Sequence, residues 1–246
     1  MCRHLAYLGP PVTLAALLLD PPHSLLHQSW APADMRGGGT VNADGFGAAW
    51  YRAGAVQPVR YRSERPIWTD SGFAALAGTT AAPAVLAAVR SATVGMPVTV
   101  GAAAPFVDGA FAFSHNGLVR GWPGSLAGPA ATLPVTDLMT LDAPTDAAVL
   151  WALVRHRLRA GDEPGEALAG VVTSVAAAAP GSRLNLLLTD GTGIWATAWD
   201  HALSVRALPD AVVVASEPTD PLPGWTEVPD RHLLAARPGH LSRRPL

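Results

Sequence analysis

The run Cys2-Arg3-His4-Leu5-Ala6-Tyr7-Leu8 puts an apolar, aromatic segment almost at the first residue, and no other stretch constrains the chain as much. It predicts a strand over residues 2–8, and a strand buried so early holds a terminus that would otherwise fray. Whatever sits at its start is then fixed in space. Here that is Cys2, the only cysteine among 246 residues. Cysteine is small enough for an initiator methionine to be removed before it, which would leave a thiol and a free α-amine on one residue. An α-amine titrates at about 7.7–8.0, so part of it is neutral near pH 7 and can act as a base. The thiolate is the nucleophilic form, and an adjacent base promotes it. Taken by itself, a cysteine at position 2 is better explained by chance.

Composition narrows the function classes. With 49% hydrophobic and 15% charged residues, the chain has the makings of a full globular core. A net charge of −2 gives no basic field for nucleic acid. A single cysteine excludes an internal disulfide and a cysteine-rich metal cluster. The eight histidines are scattered without ligand spacing, so neither a metal site nor a cofactor is expected. No run of 18 apolar residues predicts a membrane span, and no leader pattern precedes Gly9-Pro10-Pro11. A cytoplasmic protein acting on a small molecule is the expectation.

Residues 12–19 read as a short buried helix stopped by Pro21-Pro22, and residues 31–41 as a loop holding Gly37-Gly38-Gly39. Asp44-Gly45 marks a tight turn before an apolar strand through Tyr51. Residues 60–68 read as a solvated strand and loop, 71–76 as a short helix, 85–90 as an apolar strand, and 105–114 as one alternating strand. Ala143-Pro144-Thr145-Asp146 signals a helix start, with helices expected over 147–159 and 166–178. Four short strands follow at 183–188, 193–199, 202–207 and 211–215, most simply as a meander. Residues 225–231 read as a loop, and 233–246 as a closing strand with a mobile end.

Several side chains carry chemistry in this frame. Arg90 ends an apolar strand before Ser91-Ala92-Thr93, and a guanidinium there offers a flat two-pronged clamp for a carboxylate. His115-Asn116-Gly117 ends the aromatic strand. It reads either as a hairpin turn or as an oxyanion hole built from the Asn116 amide and the Gly117 N–H. Asp146 either favours the helix dipole or holds a substrate ammonium. Asn42 and Asp44 are equally well read as turn residues.

Together, Cys2, Asn42-Ala43-Asp44-Gly45-Phe46-Gly47, Arg90 and His115-Asn116-Gly117 resemble the class II glutamine amidotransferases, which are N-terminal-nucleophile hydrolases. Met1-Cys2-Arg3-His4-Leu5, Val89-Arg90-Ser91-Ala92-Thr93-Val94-Gly95-Met96-Pro97, Arg183-Leu184-Asn185, Ala215-Ser216-Glu217-Pro218 and Val228-Pro229-Asp230-Arg231-His232-Leu233 are similar to the ergothioneine branch of that family, whose members hydrolyse γ-glutamyl-hercynylcysteine S-oxide. The resemblance spans nearly the whole chain. It implies an α+β fold, the four-layer αββα sandwich, with residues 1–246 as one glutamine amidotransferase type 2 domain. It implies Cys2 as nucleophile with its own amine as base, and Asn116 and Gly117 as oxyanion hole. It also implies Arg90 on the α-carboxylate and Asp146 on the α-ammonium of the γ-glutamyl group, with His115 beside them at the substrate. The broader family usually has Asn-x-His-Pro-Phe where this chain has Ala102-Ala103-Ala104-Pro105-Phe106, a departure that argues against a glutamine-specific pocket. A glutaminase subunit feeding ammonia to a partner and an inactive binding protein of the same fold are the competing expectations. An aromatic face at Trp30, Trp68 or Trp122 would suit the quaternary ammonium of the substrate, although ordinary packing explains each of them as well.

Overall fold

The computed structural model describes residues 2–35 and 41–246. The Gly37-Gly38-Gly39 stretch and Met1, with its expected removal, lie outside the described residues. The opening segment forms β1 (Arg3–Thr13), longer than expected because it continues through Gly9-Pro10-Pro11. Short helices α1 (Leu14–Leu18) and α2 (Leu25–Gln28) follow, then strands β2 (Phe46–Tyr51) and β3 (Val59–Ser63), helix α3 (Ser71–Thr79) and strand β4 (Ala81–Val89). Next come β5 (Phe106–Asp108), β6 (Phe111–Leu118), α4 (Ala127–Ala130), α5 (Val135–Met139), α6 (Asp146–Arg159) and α7 (Pro164–Ala178). The chain closes with β7 (Arg183–Thr189), β8 (Ile194–Ala198), β9 (Ser204–Ala207), β10 (Val212–Ala215), β11 (Trp225–Glu227), β12 (His232–Arg237) and β13 (His240–Pro245).

Among the described residues the strands form two antiparallel sheets, ordered β11-β9-β10-β1-β4-β2-β3 and β13-β12-β8-β7-β6-β5. Strand alternation builds the layers. On β1, Leu5 and Tyr7 pack with α1, α2 and α3 on one face, while Ala6 and Leu8 face the second sheet. On β6, Phe113 packs against α6 and α7, while Ala112 faces the first sheet. The result is helices, sheet, sheet, helices: the αββα order. The layer between the sheets leans on small residues, Ala6, Ala49, Ala84, Ala112, Ala196 and Ala198, filled in by leucine and valine.

Several sequence expectations are corrected. Residues 105–114 are not one strand: Asp108-Gly109 turns the chain, with Gly109 at φ 56°, so β5 and β6 form a hairpin. His115-Asn116-Gly117 is not a turn but lies inside β6, paired with β7. The four strands after α7 are no meander: β7 and β8 join one sheet, β9 and β10 the other. Residues 225–227 form β11 on the edge beside β9, and the last segment folds as the β12–β13 hairpin. Helix α6 begins at Asp146, one residue before the expected start, and Thr145 caps it, its Oγ1 accepting the Ala148 N–H at 3.2 Å.

Candidate active site

Strands β1 and β4 run antiparallel with Arg3 opposite Val89, so Cys2 and Arg90 lie at the next step of the ladder. Cys2 is half-buried, its Sγ 3.8 Å from the Ser91 carbonyl oxygen. The Asp44-Gly45 turn is laced to the same strand end. The Arg90 N–H donates to the Gly45 carbonyl at 2.8 Å, the Asp44 N–H to the Arg90 carbonyl at 2.9 Å, and the Ala92 N–H to Asp44 Oδ2 at 2.7 Å. Glycine is required at 45: φ is 115°, and a Cβ would come within 2.8 Å of the Ser63 carbonyl. Asp44 therefore works as a buttress for the Arg90 segment.

Arg90 is buried, and its Nη1 donates to the Pro97 carbonyl at 2.9 Å and the Asp44 carbonyl at 3.3 Å. Its Nε and Nη2 have no hydrogen-bond partner among the described residues, and that edge is the one a carboxylate meets bidentately. Asp146, at the first turn of α6, is also buried. Its Oδ2 accepts the Val119 N–H at 3.0 Å and its Oδ1 the Ala147 N–H at 2.8 Å. A carboxylate has about four acceptor positions, so capacity for an ammonium remains. Asp146 lines a cavity of about 470 Å³ with Thr93, Gly95, Met96, Leu118 and Trp122. That cavity borders the segment just beyond Arg90.

Asn116 belongs to the face of β6 that looks between the sheets. Two residues earlier on that face, Ser114 Oγ lies 3.2 Å from His4 Nδ1 on β1. Asn116 Nδ2 is 3.0 Å from Ser216 Oγ, and the His4 N–H donates to the same oxygen at 3.0 Å. Asn116 and Cys2 thus each lie two residues from the His4–Ser114 contact, on the facing sides of two packed strands. Gly117 approaches β7 so closely that a Cβ would sit 1.9 Å from the Arg183 carbonyl oxygen. His115 points to the opposite face of β6, and its Nε2 lies 3.0 Å from the Arg183 carbonyl oxygen. The structure sets Cys2 beside Arg90 at the end of β1 and β4, brings Asn116 to Ser216 beside His4 on the neighbouring β10 side, sets Asp146 in the bordering cavity, and turns His115 away from Asn116. His4 is fully buried, and burial first, then the positive fields of His115, His201 and Arg3, hold it well below the usual imidazole range.

Sequence reasoning gave no role to Arg3 and Glu217. Arg3 is completely buried. Its Nε donates to Glu217 Oε1 at 2.7 Å, its Nη1 to the Cys2 carbonyl at 2.9 Å, and its Nη2 reaches the Asp34 carbonyl. Glu217 also accepts His23 Nε2 at 2.6 Å and the Ala33 N–H at 2.8 Å. Burial alone would raise this carboxyl; bonds from His23, the Ala33 amide and Arg3 outweigh it and hold Glu217 at about 2. Ser216 and Glu217 line a second cavity, of about 750 Å³, with His23, Met35 and Trp225. The available signal was a charged pair inside two otherwise apolar strand ends. Trp30 and Trp68 meet edge to face with centroids 5.8 Å apart, and Trp122 packs beside the α6–α7 core. Among the described residues no group of three or more His, Cys, Asp or Glu is arranged to hold a metal ion, and no helix is long and apolar enough to cross a membrane.

No protein-family model matches the chain. The gamma-glutamyl-hercynylcysteine sulfoxide hydrolase of Mycolicibacterium smegmatis is 44% identical over 247 residues, covering 100% of each chain. The protein of the same name from Mycobacterium tuberculosis is 43% identical over 235 residues, covering 95% of this chain and 92% of that one. Among solved structures, a glutamine aminotransferase class-II domain protein from Silicibacter pomeroyi matches with a TM-score of 0.70 and 24% identity, covering 99% of each chain. That likeness is one of fold, and the fold is the class II amidotransferase sandwich of N-terminal-nucleophile hydrolases. Identity of 44% from end to end goes further: the chain belongs to the gamma-glutamyl-hercynylcysteine sulfoxide hydrolase family.

Proposed function

We propose that this chain hydrolyses the γ-glutamyl amide bond of γ-glutamyl-hercynylcysteine S-oxide, giving glutamate and hercynylcysteine S-oxide, as a cytoplasmic step of ergothioneine biosynthesis. The observation that carries the reading is the 44% identity, over the full length of both chains, to a protein of that name. The residues support it. Residues 1–246 act as one glutamine amidotransferase type 2 domain, with no cofactor and no nucleic-acid partner.

With Met1 removed, the Cys2 amine takes the thiol proton, and the thiolate attacks the γ-carbonyl carbon to form a C–S bond. The carbonyl oxygen becomes an oxyanion, received by the Asn116 amide and the Gly117 N–H; one such donor contributes about 2.7–4 kcal/mol in other hydrolases. The Cys2 ammonium then protonates the leaving nitrogen as the C–N bond breaks, leaving a thioester. Water, deprotonated by the same amine, attacks the thioester, and the C–S bond breaks to free glutamate. The free Nε–Nη2 edge of Arg90 reads the α-carboxylate, and Asp146 reads the α-ammonium. His115 acts from the opposite face of β6, shaping the strand that carries Asn116 and the substrate wall.

The test is incubation of the mature protein with γ-glutamyl-hercynylcysteine S-oxide and with glutamine, side by side, with intact mass reporting loss of Met1. Glutamate release from the sulfoxide, with glutamine turned over at least tenfold more slowly, is expected. Preference for glutamine would overturn the substrate in favour of an ammonia-delivering glutaminase. No turnover of either by protein lacking Met1 would indicate a binding protein. Cys2→Ala should bind substrate and release no glutamate.

A further inference from the structure

We infer that Ser216 is a positioning residue whose hydroxyl lets the Asn116 side-chain amide turn its N–H end to the reacting carbonyl. The inference rests on the proposed role of Asn116. Ser216 is buried at the end of β10, beside β1: its N–H donates to the His4 carbonyl at 2.9 Å and its Oγ receives the His4 N–H at 3.0 Å. Its remaining hydroxyl capacity meets Asn116. With Nδ2 turned to Ser216 Oγ, Asn116 Oδ1 is buried with no partner. Burying a polar atom unpaired is costly, and a carbonyl oxygen facing an oxyanion would repel it.

A half-turn of the amide exchanges the two atoms within the same envelope. Ser216 Oγ then donates its proton to Oδ1 while still accepting from the His4 N–H. Its alternative acceptor, the His4 carbonyl at 3.3 Å, already holds the Ser216 N–H and loses little. Nδ2 now occupies the unpartnered position with its N–H bonds free for a substrate oxygen. A hydroxyl can serve either arrangement, because it donates and accepts. The His4 N–H fills one of its lone pairs, and a developing oxyanion selects the arrangement in which the hydroxyl donates to Asn116. Serine thus lets the amide turn toward the charge without leaving an unpaired atom behind. Alanine at 216 would leave both ends of the amide without that guide.

The experiment is a double-mutant cycle on turnover, using wild type, Ser216→Ala, Asn116→Ala and the double variant, with melting temperatures as the check on folding. Ser216→Ala should lower kcat by about 10- to 100-fold, less than the loss of a direct oxyanion donor, with KM within about twofold. In the Asn116→Ala background the same change should alter kcat by less than about twofold, because nothing is left to position. An unchanged kcat in Ser216→Ala beside a damaged Asn116→Ala overturns the inference and spares the proposed function. So do losses that multiply in the double variant, the pattern of an independent structural role. A silent Asn116→Ala removes the oxyanion reading and this inference with it. If Ser216→Ala does not fold, 15N-labelled asparagine in the wild type decides. Asn116 amide protons that shift when a γ-glutamyl aldehyde adds to Cys2 uphold the inference; protons that stay on Ser216 overturn it.

Discussion

Arg3 and Glu217 form a buried ion pair, Nε to Oε1 at 2.7 Å, and the same guanidinium holds the carbonyl of Cys2 at 2.9 Å. A pair taken out of water gains little by itself, but removing one partner strands the other charge. Glu217→Gln should therefore destabilise the protein by about 3–5 kcal/mol and loosen Cys2. Urea unfolding at pH 7 measures the first effect; kcat in the surviving folded fraction measures the second. A loss below about 1 kcal/mol would mean that the pair does not constrain β1.

The same carboxyl makes stability fall in acid. Its folded-state value of about 2 lies below the ordinary carboxylate range. A depressed acid contributes stability that is complete above its unfolded value and is lost as pH falls through the folded one. Wild type should lose about 3 kcal/mol more than Glu217→Gln between pH 5 and about pH 2. Equal acid profiles for the two proteins would contradict this assignment.

His4 acts at higher pH and with the opposite form favoured. Its folded-state value is lowered, chiefly by burial, so the native protein keeps it neutral while the unfolded chain takes up a proton below about 6.5. Stability should rise with pH across the window just below 6.5, by up to about 1.4 kcal/mol per unit, and flatten above it. His4→Gln should lack this slope while the other histidines remain. Chemical denaturation from pH 5 to 8 reads the difference.

Arg90→Lys keeps the charge but loses the paired Nε–Nη2 edge, and Asp146→Asn keeps the oxygen that accepts the Val119 N–H but loses the charge. Asp146→Asn can satisfy only one of the Val119 and Ala147 N–H donors, and Arg90→Lys gives up bonds to the Pro97 and Asp44 carbonyls, so melting temperatures are measured beside the kinetics. Each charge-assisted hydrogen bond lost corresponds to about 1.5–3 kcal/mol, so KM for the γ-glutamyl substrate should rise by about 10- to 150-fold. Competitive inhibition by free glutamate should weaken in parallel. A KM unmoved in both variants would place the amino-acid end of the substrate elsewhere.

Gly117→Ala tests the strand rather than the chemistry. The new Cβ would meet the Arg183 carbonyl oxygen at 1.9 Å and His115 Nε2 at 2.8 Å, contacts that backbone must move to relieve. A loss of about 3 kcal/mol or more is expected, with slower turnover in whatever folds. Thermal melting with wild-type midpoint would show that β6 and β7 can separate at this point.

Local signals in the chain were legible where they are local in the structure. Thr145 and Asp146 announce α6, and the apolar run after Met1 announces β1, because a cap and an alternation each act over a few residues. Asp108-Gly109 carried a turn signal too, but the aromatic alternation on both sides of it reads as continuous. Membership of a sheet could not be read: β8 and β9 have the same apolar pattern and part company only because two faces must be covered. The Arg3–Glu217 pair spans 214 positions, and nothing in either neighbourhood names the other. Arg90 and Asp146 stand out in the sequence by residue type, whereas Ser216 has meaning only once β10 lies beside β1.

That last pairing also sets a timetable. Among the described strands β1 comes first in the sequence, yet one of its two neighbours, β10, begins at Val212. Until the ribosome has passed Glu217, the strand beside the cysteine has an open side, and Arg3 lacks the carboxylate it meets in the fold. A chain cut before Val212 therefore leaves Cys2 on a strand with one side unpaired and Arg3 without the carboxylate of Glu217.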